Sequence, residues 1–248
     1  MNALPARARA AASRARPRPA HPQPPPAHAQ HSVSLERLYV WQLPVRLAHW
    51  LLFFSILVLS ATGYYIGRPF FGADLIMAKV RSVHLYASIV FTLSLLVRVY
   101  WAFAGNRYAR WSELIPVTME RLRSFWRALL FYTFLSREPV EYEGHNGLAG
   151  LTYAVIYGVY FVMIATGLSL YTVYAPLGSP LNVFRFLIPI FGGLQIARVI
   201  HHIGMWVILI FMVAHVYFVV LYSVVEHLGI FDSILSGFKF VPRSKDEP

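Results

Sequence analysis

The 248-residue chain contains no cysteine and little charge. The first absence excludes disulfides, iron–sulfur clusters held by this chain, covalent c-type haem attachment and a thiol nucleophile. Charged residues make up only 13%, about half of what a soluble domain carries. They are also clumped, which leaves long stretches without any. With 57% hydrophobic residues, this excludes an ordinary soluble enzyme and points to several membrane spans. Acidic residues are scarce, so the net charge is +11. In a soluble protein that excess would suggest nucleic acid; here it marks faces beside anionic lipid. There is no GxxxxGK[ST] phosphate loop, no GxGxxG opening a helix after a strand, and no hydrolytic triad motif.

Residues 1–31 stand apart, with seven Pro, five Arg and no acid. No apolar core follows the arginines, so the segment does not read as a secretory signal. It reads as a disordered basic tail, extending to about residue 36. Its histidines, His21, His28 and His31, read as ordinary tail residues. Four long apolar runs follow: Leu47–Gly67, Val83–Ala104, Leu148–Tyr174 and Val199–Val225. Spanning a bilayer takes about 20 apolar residues, so all four qualify. The expected fold is an all-α membrane protein, a four-helix bundle over 37–240, with residues 241–248 as a short C-terminal tail. Phe125–Leu135, preceded by Arg121 and Arg123, reads as an interfacial amphipathic helix. Leu181–Gly193, broken by Arg185, Pro189 and two glycines, reads as a segment lying along the opposite surface.

Lys and Arg counts orient the bundle. With the N-terminus inside, the inner segments carry 16 and the outer loops 5, and Arg98 lies within the second span. The bias favours both termini in the cytoplasm.

The spans contain five histidines and no Asp or Glu. A single membrane histidine either hydrogen-bonds a neighbouring helix or does chemistry, and for one alone the two readings stand even. The arrangement changes the balance. His201 and His215 are fourteen residues apart, about 40° short of four turns and about 21 Å along the axis. They share a helix face at two depths, the layout for two haems stacked across a bilayer. His202 fits that pair poorly and reads as a supporting or packing residue. Topology supplies the partners. His84 begins the second span at the outer face, as His201 does in the fourth. His49 begins the first span at the cytoplasmic face, where His215 also lies. The expected pairs are His84 with His201 and His49 with His215, so the first, second and fourth spans would bind the two haems.

Arg46, Arg81 and Arg198 each precede one of these histidines by three residues, in RLAH, RSVH and RVIH. At that spacing they share its helix face, one turn nearer water. A haem propionate meets a guanidinium well; the plainer reading is that basic residues commonly flank spans. Gly63, Gly158, Gly167 and Gly204 admit a flat ring or, more generically, close helix packing. A histidine-lined metal or proton conduit is the rival of another class. It would want carboxylates or several ligands at one depth. Electron transfer fits the residues better, with haem carrying the redox chemistry.

Arg46–Gly63 (RLAHWLLFFSILVLSATG) resembles the first signature of the b-type cytochrome subunit of membrane-bound nickel–iron hydrogenases. Arg198–His215 (RVIHHIGMWVILIFMVAH), with Trp206 and Phe211, resembles the second. LLVRVYWAFAGNRYARW at 95–111 and GHN at 144–146 are also similar. The resemblance covers about 37–240. Ala61 and Val199 depart from it, and Gly147 stands where proline is expected. None of these departures touches a proposed ligand.

The resemblance implies a cytochrome of the bacterial inner membrane that binds two b haems. Such a subunit anchors a periplasm-facing hydrogenase of large and small subunits. It takes electrons from the small subunit's iron–sulfur relay, beside that subunit's C-terminal membrane helix, and passes them to quinone. His84 and His201 would then bind the haem nearer the hydrogenase, and His49 and His215 the haem nearer the cytoplasm. Hydrogen chemistry would not take place on this chain. The cytochrome subunit of a formate dehydrogenase or thiosulfate reductase is the nearest alternative.

For the quinone, the candidates at the cytoplasmic face are His145 and Asn146 before the third span and His227 after the fourth. The plainer reading makes each a surface residue. A histidine near the interface titrates near neutral pH and serves proton uptake. On that reading His145→Ala slows quinone reduction without losing haem; unchanged turnover with added quinone removes His145 from the set.

Overall fold

The computed structural model describes residues 35–70, 73–111, 118–133, 135–136, 147–226 and 230–242. Its elements in chain order are strand β1 (Leu35–Tyr39) and helices α1 (Leu43–Gly67), α2 (Ala73–Ala104), α3 (Met119–Tyr132), α4 (Gly147–Tyr171), α5 (Leu187–Ile190), α6 (Leu194–Glu226) and α7 (Ile230–Ser236), then strand β2 (Phe238–Pro242). Short 3-10 turns cover Arg107–Ala109 and Pro180–Phe186. Four helices, α1, α2, α4 and α6, are long and apolar enough to cross a membrane. Three of them, α1, α2 and α6, outrun the apolar stretches that mark them in the sequence, whereas α4 ends three residues before Tyr174. α2 begins ten residues before Val83 and takes in Lys79 and Arg81; α6 begins five before Val199 and takes in Arg198. A helix needs apolar residues only where it meets hydrocarbon. Its ends continue into the polar region, where Lys and Arg are good helix formers.

α1 packs along α2, and α4 along α6. The two helical pairs meet at a cluster drawn from all four: Leu52 and Ile56, Phe91 and Leu95, Ile156 and Tyr160, and Ile208. The Phe91 and Tyr160 rings meet edge-on at 5.1 Å. Many large apolar side chains outside the cluster point outward: Phe54, Leu93, Val155, Ile210 and Val213 are all exposed. An apolar surface on that scale suits a lipid environment.

α3 is amphipathic in an instructive way. Its small residues Ser124 and Ala128 are buried, and Ser124 Oγ accepts from the Gly147 N–H at the start of α4. Met119, Leu122, Trp126 and Leu130 form an exposed apolar stripe beside exposed Arg123 and Arg127. Such a surface suits the boundary between headgroups and acyl chains. Arg98 in α2 is buried, donates to the Ala109 carbonyl at 3.2 Å and lies 5.9 Å from the Tyr157 ring centroid.

The two ends of the described chain meet. β1 and β2 pair antiparallel, with Arg37 opposite Phe240, and the Arg37 guanidinium lies 3.8 Å from the Phe238 ring centroid. The junction below this ribbon is held by polar contacts. Gln42 Oε1 accepts from Trp101 Nε1 (2.8 Å) and from the Asn106 N–H (3.0 Å), and Trp41 Nε1 donates to Ser233 Oγ. Gly237 closes it. It ends α7 at φ +93°, and its carbonyl accepts from the Val40 and Trp41 N–H groups. A Cβ there would lie 2.7 Å from the Tyr39 ring and 2.8 Å from the Trp41 carbonyl oxygen. Gly237→Val is therefore expected to lower the thermal midpoint of the detergent-solubilised protein. Its backbone conformation alone costs a side chain about 1–3 kcal/mol; an unchanged midpoint contradicts this account.

Candidate functional site

The structure brings four of the five membrane histidines together in two couples. The His84 and His201 ring centroids are 6.4 Å apart, and those of His49 and His215 are 6.3 Å apart. α6 supplies one member of each couple, α2 and α1 the others. In α1, α4 and α6 the core cluster lies in sequence between residues of the two couples: Leu52 and Ile56 between His49 and Thr62, Ile156 and Tyr160 between Tyr153 and Thr166, and Ile208 between His201 and His215. His202 belongs to neither couple. It is exposed and accepts from Trp206 Nε1 on its own helix at 3.2 Å.

The His84–His201 couple is cradled by two residues from each of the other helices, α1 and α4. Thr62 Oγ1 lies 2.8 Å from His84 Nδ1, and Thr166 Oγ1 lies 2.8 Å from His201 Nδ1. Each hydroxyl also donates to a carbonyl one turn back, Val58 at 2.6 Å and Val162 at 2.7 Å. A threonine hydroxyl has one proton. With that proton given to the backbone, each imidazole must be the donor in its contact with threonine. The hydrogen-bond arrangement thus assigns the ring proton to Nδ1 and leaves the Nε2 lone pair free, the form in which imidazole binds a metal. The next residues, Gly63 and Gly167, let the rings come close: a Cβ on either would lie 3.3 Å from Cε1 of His84 or His201. Of the other two span glycines, Gly204 faces Met163, and Gly158 has open space where a Cβ would go.

The His49–His215 couple is bounded by aromatic rings instead. Phe211 stacks on His215 at 5.5 Å, Tyr153 meets it edge-on at 6.0 Å, and Trp50 meets His49 edge-on at 5.3 Å. His49 Nδ1 is buried with no hydrogen-bond partner.

The three arginines of the RxxH pattern occupy different settings. Arg46 Nε is buried without a partner. Arg81 is exposed and sits 4.8 Å from the Tyr174 ring centroid. Arg198 is exposed and donates to Gln195 Oε1 at 2.6 Å. His145, Asn146 and His227 lie outside the described residues.

The prokaryotic cytochrome b561 family model matches residues 40–237, which include both couples and both threonines. The chain belongs to this family. Among the relatives of this cytochrome is a protein of Rhizobium leguminosarum bv. viciae, 34% identical over 232 residues, covering 89% of this chain and 96% of the relative. One from Cupriavidus necator is 34% identical over 218 residues, covering 83% and 88%. Another, from Escherichia coli K12, is 31% identical over 230 residues, covering 85% and 94%. The first two are named probable Ni/Fe-hydrogenase B-type cytochrome subunits, and the third a probable Ni/Fe-hydrogenase 1 B-type cytochrome subunit.

The cofactor class of such a cytochrome is haem b, and the residues present fit it. Two imidazoles that each bound one shared metal atom at about 2 Å would have their ring centres roughly 6.4 Å apart. Both couples have that spacing. Among the described residues no three metal-ligating side chains gather at one point, so the histidines meet only in twos.

Thr62 and Thr166 are the site residues that the sequence reading passes over. A signal for them exists: both stand in an Ala-Thr-Gly triplet, at 61–63 and 165–167.

Proposed function

We propose that this cytochrome is the di-haem b membrane subunit of a nickel–iron hydrogenase. In this role it carries electrons from the iron–sulfur relay of the small subunit to the quinone pool of the bacterial inner membrane. The observation that carries the reading is the meeting of four membrane histidines in two couples at 6.3 and 6.4 Å. The names of the relatives supply the hydrogenase.

His84 and His201 would hold one haem and His49 and His215 the other. Bound there, haem supplies one-electron redox chemistry, with a potential tuned by its axial ligands and its burial. The chain's own contribution is to position and exclude. Thr62 and Thr166 present two of the imidazoles with Nε2 free. The apolar cluster between the levels keeps water from joining them. The unpaired Nε of Arg46 is a buried donor one turn from His49 and suits a propionate carboxylate. Arg81 and Arg198 stand in the same relation to His84 and His201, with their present contacts at the surface.

The charge bias favours both chain termini in the cytoplasm. In that orientation His84 and His201 would stand on the hydrogenase side, and His49 and His215 on the side where His145, Asn146 and His227 would receive quinone.

The test is an anaerobic difference spectrum of membranes carrying the protein with its native partners. Hydrogen and dithionite serve as parallel reductants. A b-type signal with both is expected. A signal with dithionite alone, beside active hydrogenase, assigns the cytochrome to another dehydrogenase. No signal with either, where the protein is demonstrably present, ends the haem reading. His201→Ala is expected to lose one of the two haems and keep the other; full haem content in that variant breaks the pairing.

A further inference from the structure

The two histidine couples are built from different materials, and the difference bears on electron energy. Both members of the His84–His201 couple have a threonine hydroxyl 2.8 Å from Nδ1, and the threonine bonds to the Val58 and Val162 carbonyls assign the shared proton to the imidazole. In the other couple His49 Nδ1 is buried without any acceptor, and His215 lies between Phe211 and Tyr153.

The threonine sites repeat each other in detail. An Ala-Thr-Gly triplet on α1 serves His84 on the neighbouring α2, and an Ala-Thr-Gly triplet on α4 serves His201 on the neighbouring α6. In both, the hydroxyl proton goes to the carbonyl four residues back. In both, the glycine lies 3.3 Å, measured from its would-be Cβ, from the imidazole Cε1. Two unrelated helices therefore arrive at one arrangement, in which the hydroxyl has no proton left to give and acts only as an acceptor.

From this we infer that Thr62 and Thr166 are paired positioning residues that lower the reduction potential of the haem held by His84 and His201 relative to the one held by His49 and His215. An acceptor on Nδ1–H pushes electron density into the ring and raises the basicity of Nε2. A more basic axial ligand favours the oxidised, more positive iron and so lowers the potential. The couple with two such acceptors becomes the lower-potential site. The couple walled by aromatic rings, with an unpaired Nδ1, becomes the higher. Electrons entering at the threonine-held couple then run downhill to the other.

The inference rests on the di-haem reading, and the experiment separates the two. The wild-type protein, solubilised with its partners, is first titrated for its b-haem midpoint potentials and examined by ferric-haem electron paramagnetic resonance. Fewer than two haems there ends the di-haem reading itself. Thr62→Val and Thr166→Val, which keep the shape and remove the hydroxyl, are then compared with Thr62→Ser and Thr166→Ser. The expected result is an upward shift of the lower midpoint in each valine variant, larger in the double variant. The g-values of that same haem should move, the second haem should stay unchanged, and serine should return the wild-type values.

Valine variants with both midpoints and both signals unmoved overturn the inference, as does a shift confined to the higher-potential haem. If a valine variant loses haem, serine decides: recovery of the haem supports the hydroxyl's role, and equal loss in serine overturns it.

Discussion

A neutral imidazole inside a bilayer carries one donor and one acceptor that hydrocarbon cannot satisfy, and the arrangement of the bundle follows from where four such rings are placed. At one level the protein answers the donor with threonine hydroxyls and leaves the acceptor of each ring free. At the other it surrounds the rings with aromatic faces and leaves His49 Nδ1 without an acceptor. The helix pairing serves these placements. α1 lies along α2 and α4 along α6, so each threonine stands beside the histidine of its neighbour.

Between the levels the chain spends no polar group on chemistry. Phe91, Leu95, Ile156 and Ile208 pack with the ring of Tyr160 into a contiguous core. That core does for the four long helices what α7, Gly237 and the β1–β2 ribbon do at the chain ends: it sets which helices touch and at what register. Many apolar side chains elsewhere face outward, where lipid, unlike water, imposes no penalty on them.

Much of this was legible before any coordinates. Charge-free runs mark four spans because a charge at the bilayer centre is expensive. The fourteen-residue interval from His201 to His215 puts both rings on one face, and the direction of each helix then selects partners. The couples at 6.3 and 6.4 Å are the pairs that this reasoning selects. Other features were hidden for physical reasons. Threonines in apolar helices usually bond their own backbone, so Thr62 and Thr166 looked ordinary until the histidines were seen beside them. Gly63 and Gly167 could not be told from packing glycines, since only the third dimension shows a ring against them. The ribbon joins Leu35 to Pro242, almost the full length of the described chain apart, and five-residue strands carry too little pattern to announce such a partner. The N-terminal ends of α1, α2 and α6 run past their apolar stretches because hydropathy marks the membrane, and a helix does not stop there.

The separation of the two levels has an electrical consequence. Fourteen residues of α6 set them about 21 Å apart along its axis, about two-thirds of the roughly 30 Å hydrocarbon core. Any charge that passes from one level to the other therefore crosses most of the insulating layer of the membrane. It feels about 1.5 kcal/mol for every 100 mV of membrane potential. Such a passage would be tied in this way to the voltage of the membrane, opposed by it in one direction and assisted in the other.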